Sequence, residues 1–268
     1  MKTILIGLTT CPLLIVCLLT AGCTTARPAK PVPDQEQQLA LAYKTQSPGK
    51  LDTFFQRWAA ETPPLSDAAI ARLDDTRRNV YAVFRAFYTP QDLRRLGGSE
   101  WGDGIYQKVH YLLLQDLIYF GIVDTIASDP DQTTRPKTLD SITDFRPALA
   151  FDSPKMVVLT PSYDSLLNHF LGDEHRPLGS GSIMSPASAK AESKKRQTFL
   201  DKTIRIWYGH WGGYWQLNSY PYASTIVFDR QFRFAVVNFR MVYEGGYAYF
   251  KKENGQWVLI EAKRTWIE

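Results

Sequence analysis

Cysteine is almost missing from this chain: three occur in 268 residues, and two of them, Cys11 and Cys17, sit in the apolar opening stretch. Beyond residue 22 only Cys23 remains, which excludes an internal disulfide, a catalytic thiolate within the body and a cysteine-ligated metal. A dominant charge is lacking too. The net charge is +4, from 31 basic and 27 acidic residues that are interspersed, and this excludes the electrostatic footprint of a nucleic-acid partner. No apolar run reaches the ~20 residues of a spanning helix. Catalytic signatures are missing as well. The chain has no Gly-x-Ser-x-Gly elbow, no Ser-x-x-Lys and no His-Glu-x-x-His, and Gly179-Ser180-Gly181-Ser182 lacks the Gly-Lys-Ser/Thr ending of a phosphate loop. The four histidines form no metal signature. His169 and His175 flank Gly172, which ends a helix between them; His110 lies in an apolar run, and only His210 falls among aromatics. No cofactor is expected.

What is present begins with an address. Lys2 precedes an apolar run, Ile4 to Leu19, of about 16 residues, which suits the core of a cleaved signal. It closes on Leu19-Thr20-Ala21-Gly22-Cys23. Small residues ahead of a cysteine resemble the lipobox of bacterial lipoproteins, although Thr20 stands where that family usually carries Leu. The resemblance implies cleavage before Cys23, acylation of Cys23 and anchoring in membrane lipid. The expected organisation is a signal over 1–22, a lipidated cysteine and flexible tether over 23–45, and a globular body over 46–268. Three prolines and a lack of apolar periodicity in residues 24–38 carry the tether reading. Thr24 is not the aspartate that marks inner-membrane retention in enteric bacteria, so the expected location is the cell envelope, at the outer rather than the inner membrane.

In the body, Leu51, Phe54, Phe55 and Trp58 have helical spacing, and Thr62-Pro63-Pro64 ends that helix. Ser66 reads as the N-cap of one helix carrying Ile70, Leu73, Val80, Phe84 and Phe87 on a single stripe. Thr89-Pro90 opens a short element closed by Gly97-Gly98. Residues 105–123 fit a buried helix or two buried strands, and the Leu, Ile, Tyr and Phe content of Leu112 to Val123 favours strands. A long polar connection is expected over 128–154, a strand at Lys155 to Thr160, and a helix from Pro161 with Tyr163, Leu166, Leu167, Phe170 and Leu171 inward. After a loop from Gly172 to Ser185 comes a charged helix. Its Lys190, Lys194, Lys195 and Arg196 read as a solvated face or a contact for anionic lipid.

From Ile204 the pattern changes to strands, with Gly245-Gly246 and Asn254-Gly255 read as two-residue hairpin loops. That places Glu253 opposite Gln256, Tyr249 opposite Ile260 and Met241 opposite Phe250. Helix-rich over 46–200 and strand-rich over 204–268, the chain is expected to be α+β, with N-terminal helices followed by a curved antiparallel sheet. The closing segment, FAVVNFRMVYEGGYAYFKKENGQWVLIEAKRTWIE, resembles the last strands of the cystatin-like and nuclear-transport-factor-like superfamily. That resemblance implies a pocket scaffold and no particular chemistry.

Trp207 to Tyr222 holds three Trp, four Tyr and one His in 16 residues, with glycines at 209, 212 and 213. Aromatic faces can stack on sugar rings, and hydroxyl and indole groups can fix orientation. The same residues could equally pack the core. The candidate ligand-binding set is Trp207, His210, Trp211, Tyr214, Trp215 and Tyr220, with Asn238 and Arg240 from the neighbouring strands. The function expected is a lipid-anchored envelope protein acting as a non-catalytic binding or assembly module. Its partner would be a carbohydrate, a cell-wall ligand or an envelope protein. The alternative is an envelope hydrolase or lyase-like enzyme using His210 or Glu261 beside Arg240.

Overall fold

The computed structural model describes residues 33–97, 104–126, 136–150, 154–172, 187–208 and 215–268. The signal and Cys23 lie outside them. The first element is a helix, α1 (Pro33–Lys44), which takes up about half of the tether expected over 23–45. Composition concealed it: α1 buries only a narrow set of residues, Leu39, Ala42 and the polar Gln35. Gln35 Nε2 donates to Tyr163 Oη and to Glu61 Oε2, both at 2.5 Å, so a buried amide stands where periodicity analysis looks for a hydrophobe. Asp34 and Glu36 in the first turn and Lys44 in the last suit the helix dipole. Gln46, at φ 48°, reverses the chain into α2 (Pro48–Glu61), capped by the Ser47 side chain.

The stripe starting at Ser66 divides in two. Ser66 caps α3 (Asp67–Ala71), and Asp74 then caps α4 (Asp75–Phe87) by accepting from Arg77 N at 2.9 Å. An Asp side chain that satisfies a backbone donor three residues on starts a new helix more readily than it sits inside an old one. A 3-10 turn follows at Leu93–Leu96, closed by Gly97 at φ 104°.

Residues 111–123 are two strands, β1 (Tyr111–Gln115) and β2 (Leu117–Val123). The long connection carries β3 (Asp140–Thr143) and leads to β4 (Lys155–Leu159), α5 (Pro161–Leu171) and α6 (Ala187–Leu200). The proposed loop between α5 and α6 falls largely outside the described residues. Then come the short strands β5 (Trp207–Tyr208) and β6 (Trp215–Gln216), and the long ones β7 (Tyr222–Asp229), β8 (Phe234–Met241), β9 (Glu244–Glu253) and β10 (Gln256–Ile267).

The chain is therefore α+β, with N-terminal helices followed by a mostly antiparallel sheet of order β10-β9-β8-β7-β2-β3. Only β2 with β7 is parallel in it, and β1 with β4 forms a separate parallel pair. The helix-rich half thus contributes β2 and β3 to the main sheet, which the division at residue 200 did not anticipate.

Two hairpin readings separate here. Asn254-Gly255 is a turn, with Glu253 opposite Gln256, but a bulge at Ile260 then moves Tyr249 opposite Glu261. Gly245-Gly246 is not a turn. The chain reverses at Val242-Tyr243, placing Met241 opposite Glu244 and Phe250 opposite Ala235. The glycines serve close approach instead. A Cβ on Gly246 would overlap the Lys263 carbonyl and lie 2.8 Å from its carbon, and Trp266 covers Gly245. Val242 takes φ 53° in the turn, a sparsely populated conformation for a branched side chain.

Two large apolar cores result. The first lies between α4 and the main sheet, around Phe84, Phe87, Phe228, Phe239 and Phe250. The second lies among α1, α2, α5, α6 and the β1/β4 pair, around Phe54, Phe55, Trp58 and Leu167. Strand β1 is their common wall: Leu112 and Leu114 enter the first core, Tyr111 and Leu113 the second. No helix among the described residues is long and apolar enough to cross a membrane.

Candidate functional site

The segment 215–222 reaches its place by hydrogen bonding to β1 and its flank. Ser219 acts as a one-residue strand partner of Leu113: its N–H donates to Leu113 O at 2.8 Å, and its Oγ accepts from Leu113 N at 2.9 Å. The Tyr106 hydroxyl accepts from Tyr220 N at 2.6 Å, and burial pushes its pKa up. Gln115 completes the frame. Its buried side chain accepts from Ala223 N at 2.9 Å and donates to Ala223 O and Leu117 O, both at 2.8 Å.

These bonds leave a cavity of about 190 Å³ lined by Asp164 from α5, by Trp215, Gln216, Leu217, Asn218, Tyr220 and Tyr222, and by Arg240 from β8. Arg240 is fixed on its outer side. Its Nε donates to Val242 O at 2.9 Å, Nη2 meets Glu268 Oε2 at 3.0 Å, and the guanidinium lies 5.8 Å from the Trp266 ring centre. Gln216 carries this network inward. With its amide oriented to satisfy both neighbours, its oxygen accepts from Arg240 Nη2 at 3.2 Å, and its nitrogen donates to Val242 O at 3.3 Å and to the Tyr220 hydroxyl. The Asn218 Oδ1 is buried and has no hydrogen-bond partner among the described residues.

Asp164 opens to solvent at the cavity but is closely surrounded by protein. Desolvation raises its pKa, against the opposing effect of Asn168 Nδ2, which donates to its Oδ2 at 3.2 Å. Asp116, at the turn between β1 and β2, is raised for the same reason, with smaller contributions from the charges of Asp164 and Asp144. The Tyr222 hydroxyl is raised by burial and then by Asp116. The cavity therefore holds a guanidinium already matched by Glu268 and a carboxylate with no ion-pair partner among the described residues.

Comparison with known proteins finds no matching family model, no matching curated protein and no matching solved structure.

Of the residues singled out in the sequence, the structure brings Trp215, Tyr220 and Arg240 together. Trp207 is elsewhere, buried in the first core beneath the Arg205 guanidinium, 4.4 Å from its ring centre. Asn238 is spent on a cross-strand bond to Thr225 Oγ1 at 2.8 Å. His210, Trp211 and Tyr214, like Cys23, lie outside the described residues. Glu261 is exposed on β10 opposite Tyr249 and is not part of the cavity beside Arg240. The buried carboxylates of that sheet are Asp229, paired with Arg233 at 3.2 Å, and Glu244, paired with Arg264 at 2.5 Å. The lysine-rich helix splits its charges: Lys194 and Lys195 line a groove with Tyr43 and Lys202, while Arg196 folds back onto Glu192 and Phe170 O. Among the described residues no cluster of three His, Cys, Asp or Glu could hold a metal.

Sequence reasoning missed Asp164, Gln216, Asn218 and Tyr222. Gln216 and Asn218 carry no ring in a segment dense with them, and Tyr222 closes that segment as the first residue of β7. Asp164 carries no local signal, because only the docking of α5 brings it to the cavity.

Proposed function

We propose that this protein is a lipid-anchored module of the bacterial cell envelope that binds a small ligand, without turning it over, in the cavity between 215–222, α5 and β8. The anchor rests on the Leu19–Cys23 pattern, and the outer membrane is favoured by Thr24. The observation that carries the binding reading is the cavity lining: Asn218, Arg240 and an exposed Asp164 carboxylate with no ion-pair partner among the described residues border the same space of about 190 Å³. A thermal-shift screen of envelope metabolites against the wild type and Asn218→Ala tests it. The reading requires at least one compound that raises the wild-type melting temperature and leaves that of the variant unchanged. Radiolabelled palmitate incorporation that disappears in Cys23→Ser tests the anchor.

One observation favours a second reading. A cavity carboxyl whose proton affinity is raised by desolvation, Asp164, suits general acid–base work. A turnover lost in Asp164→Asn while ligand binding persists would favour an envelope hydrolase or lyase-like enzyme.

A further inference from the structure

The cavity's unused hydrogen-bonding groups identify its ligand more closely, an inference that rests on the small-ligand reading above. At about 190 Å³ the space lies below the ~300–1,000 Å³ of pockets for drug-sized molecules, so it admits about one ring. Its charges do not call for an anion, since Arg240 is already paired with Glu268 at 3.0 Å. They call for hydrogen-bond donors. Among the described residues the exposed Asp164 carboxylate accepts only the 3.2 Å bond from Asn168. Acceptors are wanted as well: the hydrogen bonds of Arg240 use Nε and Nη2, leaving the Nη1 hydrogens, and the Asn218 amide brings two more donors.

A group that both donates and accepts, repeated around a small ring, fits this alternation, and that group is the hydroxyl. Neighbouring hydroxyls match the paired atoms of a planar carboxylate or amide. The rest of the lining includes Leu217 and the rings of Trp215, Tyr220 and Tyr222, apolar surface that suits a C–H face. We infer that the cavity holds one uncharged pyranose, its hydroxyls shared among Asp164, Asn218 and Arg240 and its C–H face against the aromatic wall. A zwitterionic amino acid fits less well, because its carboxylate would compete with Glu268 for Arg240.

Saturation-transfer NMR on the full chain decides the matter, with methyl α-glucoside and N-acetylglucosamine as sugar probes and L-alanine as the zwitterionic probe. The expected result is transfer to ring protons of at least one sugar, with affinity falling roughly tenfold or more in both Asn218→Ala and Asp164→Asn. Asn218→Ala should melt at or above the wild-type temperature without ligand, since Asn218 Oδ1 is buried with no hydrogen-bond partner among the described residues and the variant removes it. Binding of L-alanine with no sugar response would overturn the pyranose and leave the small-ligand reading standing. Sugar binding that both variants retain would overturn the assignment to this cavity. Silence from all three probes would overturn the pyranose, and the wider reading falls with it only if the metabolite screen is also empty.

Discussion

Replacing Trp58 by phenylalanine tests whether the two cores form one cooperative unit. Trp58 is fully buried, its indole lies parallel to the Tyr163 ring with centres 4.0 Å apart, and its Nε1 donates to Val158 O at 2.8 Å. Phenylalanine keeps one ring and loses the other together with the donor. Val158 O still accepts from Thr160 N at 3.0 Å, so it is not orphaned, and the lost hydrogen bond costs about 1 kcal/mol. The space left by the missing ring adds roughly 1–2 kcal/mol by analogy with other large-to-small core changes. A total of ~2–3 kcal/mol, at roughly 2–4 °C per kcal/mol for a body of this size, lowers the melting temperature by about 4–12 °C. Calorimetry should show a single transition shifted as a whole, because adjacent residues of β1 serve the two cores alternately. Two transitions, with the second core melting early and the first unmoved, would refute the shared-wall argument. A shift below about 2 °C would refute the tight packing assigned to Trp58.

Other consequences can be measured directly. Gly246→Ala forces a Cβ into the Lys263 carbonyl and should cost roughly 3 kcal/mol or more in denaturant titrations, whereas Gly255→Ala has open space and only its φ of 80° against it, a cost of about 1 kcal/mol. Equal costs would show that close approach is not what Gly246 provides. Ser219→Ala leaves Leu113 N without its acceptor and should destabilise by ~1–3 kcal/mol, read by the same titration; a neutral result would mean that Oγ does not hold the cavity segment to β1. The Asp164 carboxyl is raised in the folded state by desolvation, so it binds its proton more tightly folded than unfolded. Its ionisation therefore destabilises at neutral pH, and that penalty fades as pH falls through the raised value toward the ordinary 3.8. Asp164→Asn should accordingly be the more stable protein at pH 7, with an advantage that shrinks on acidification in urea midpoints; an advantage that grows would reverse the sign of the argument.

What could be read beforehand was local. Tyr163, Leu166, Leu167, Phe170 and Leu171 were identifiable as the buried face of α5 from spacing alone, and Asn254-Gly255 as a turn from its conformational preference. The failures were of another kind. Gly245-Gly246 looks like a turn because glycine signals both reversal and close approach, and only the position of β10 tells them apart. Helix α1 escaped notice because it docks through Gln35 as much as through Leu39. For the cavity, Trp215, Tyr220 and Arg240 were within reach of composition, since aromatic density points to them. Asp164 was not: an exposed-looking aspartate in the first turn of a helix is ordinary, and the Arg240 that lines the same cavity belongs to a distant strand.

Strand β2 sits in the main sheet beside β7, and Gln115 just before it is bonded to Ala223, 108 residues further along. The strands β7 to β10 can pair with their chain neighbours as soon as they exist. Strand β2 has no such neighbour, apart from the short edge strand β3, until most of the polypeptide is present. Closing so long a loop must precede any gain from the pairing, which marks a slow, high-contact-order step. The cavity lies beside this junction, framed by Gln115 and Ser219, so ligand competence should arrive with the last long-range closure and report on it.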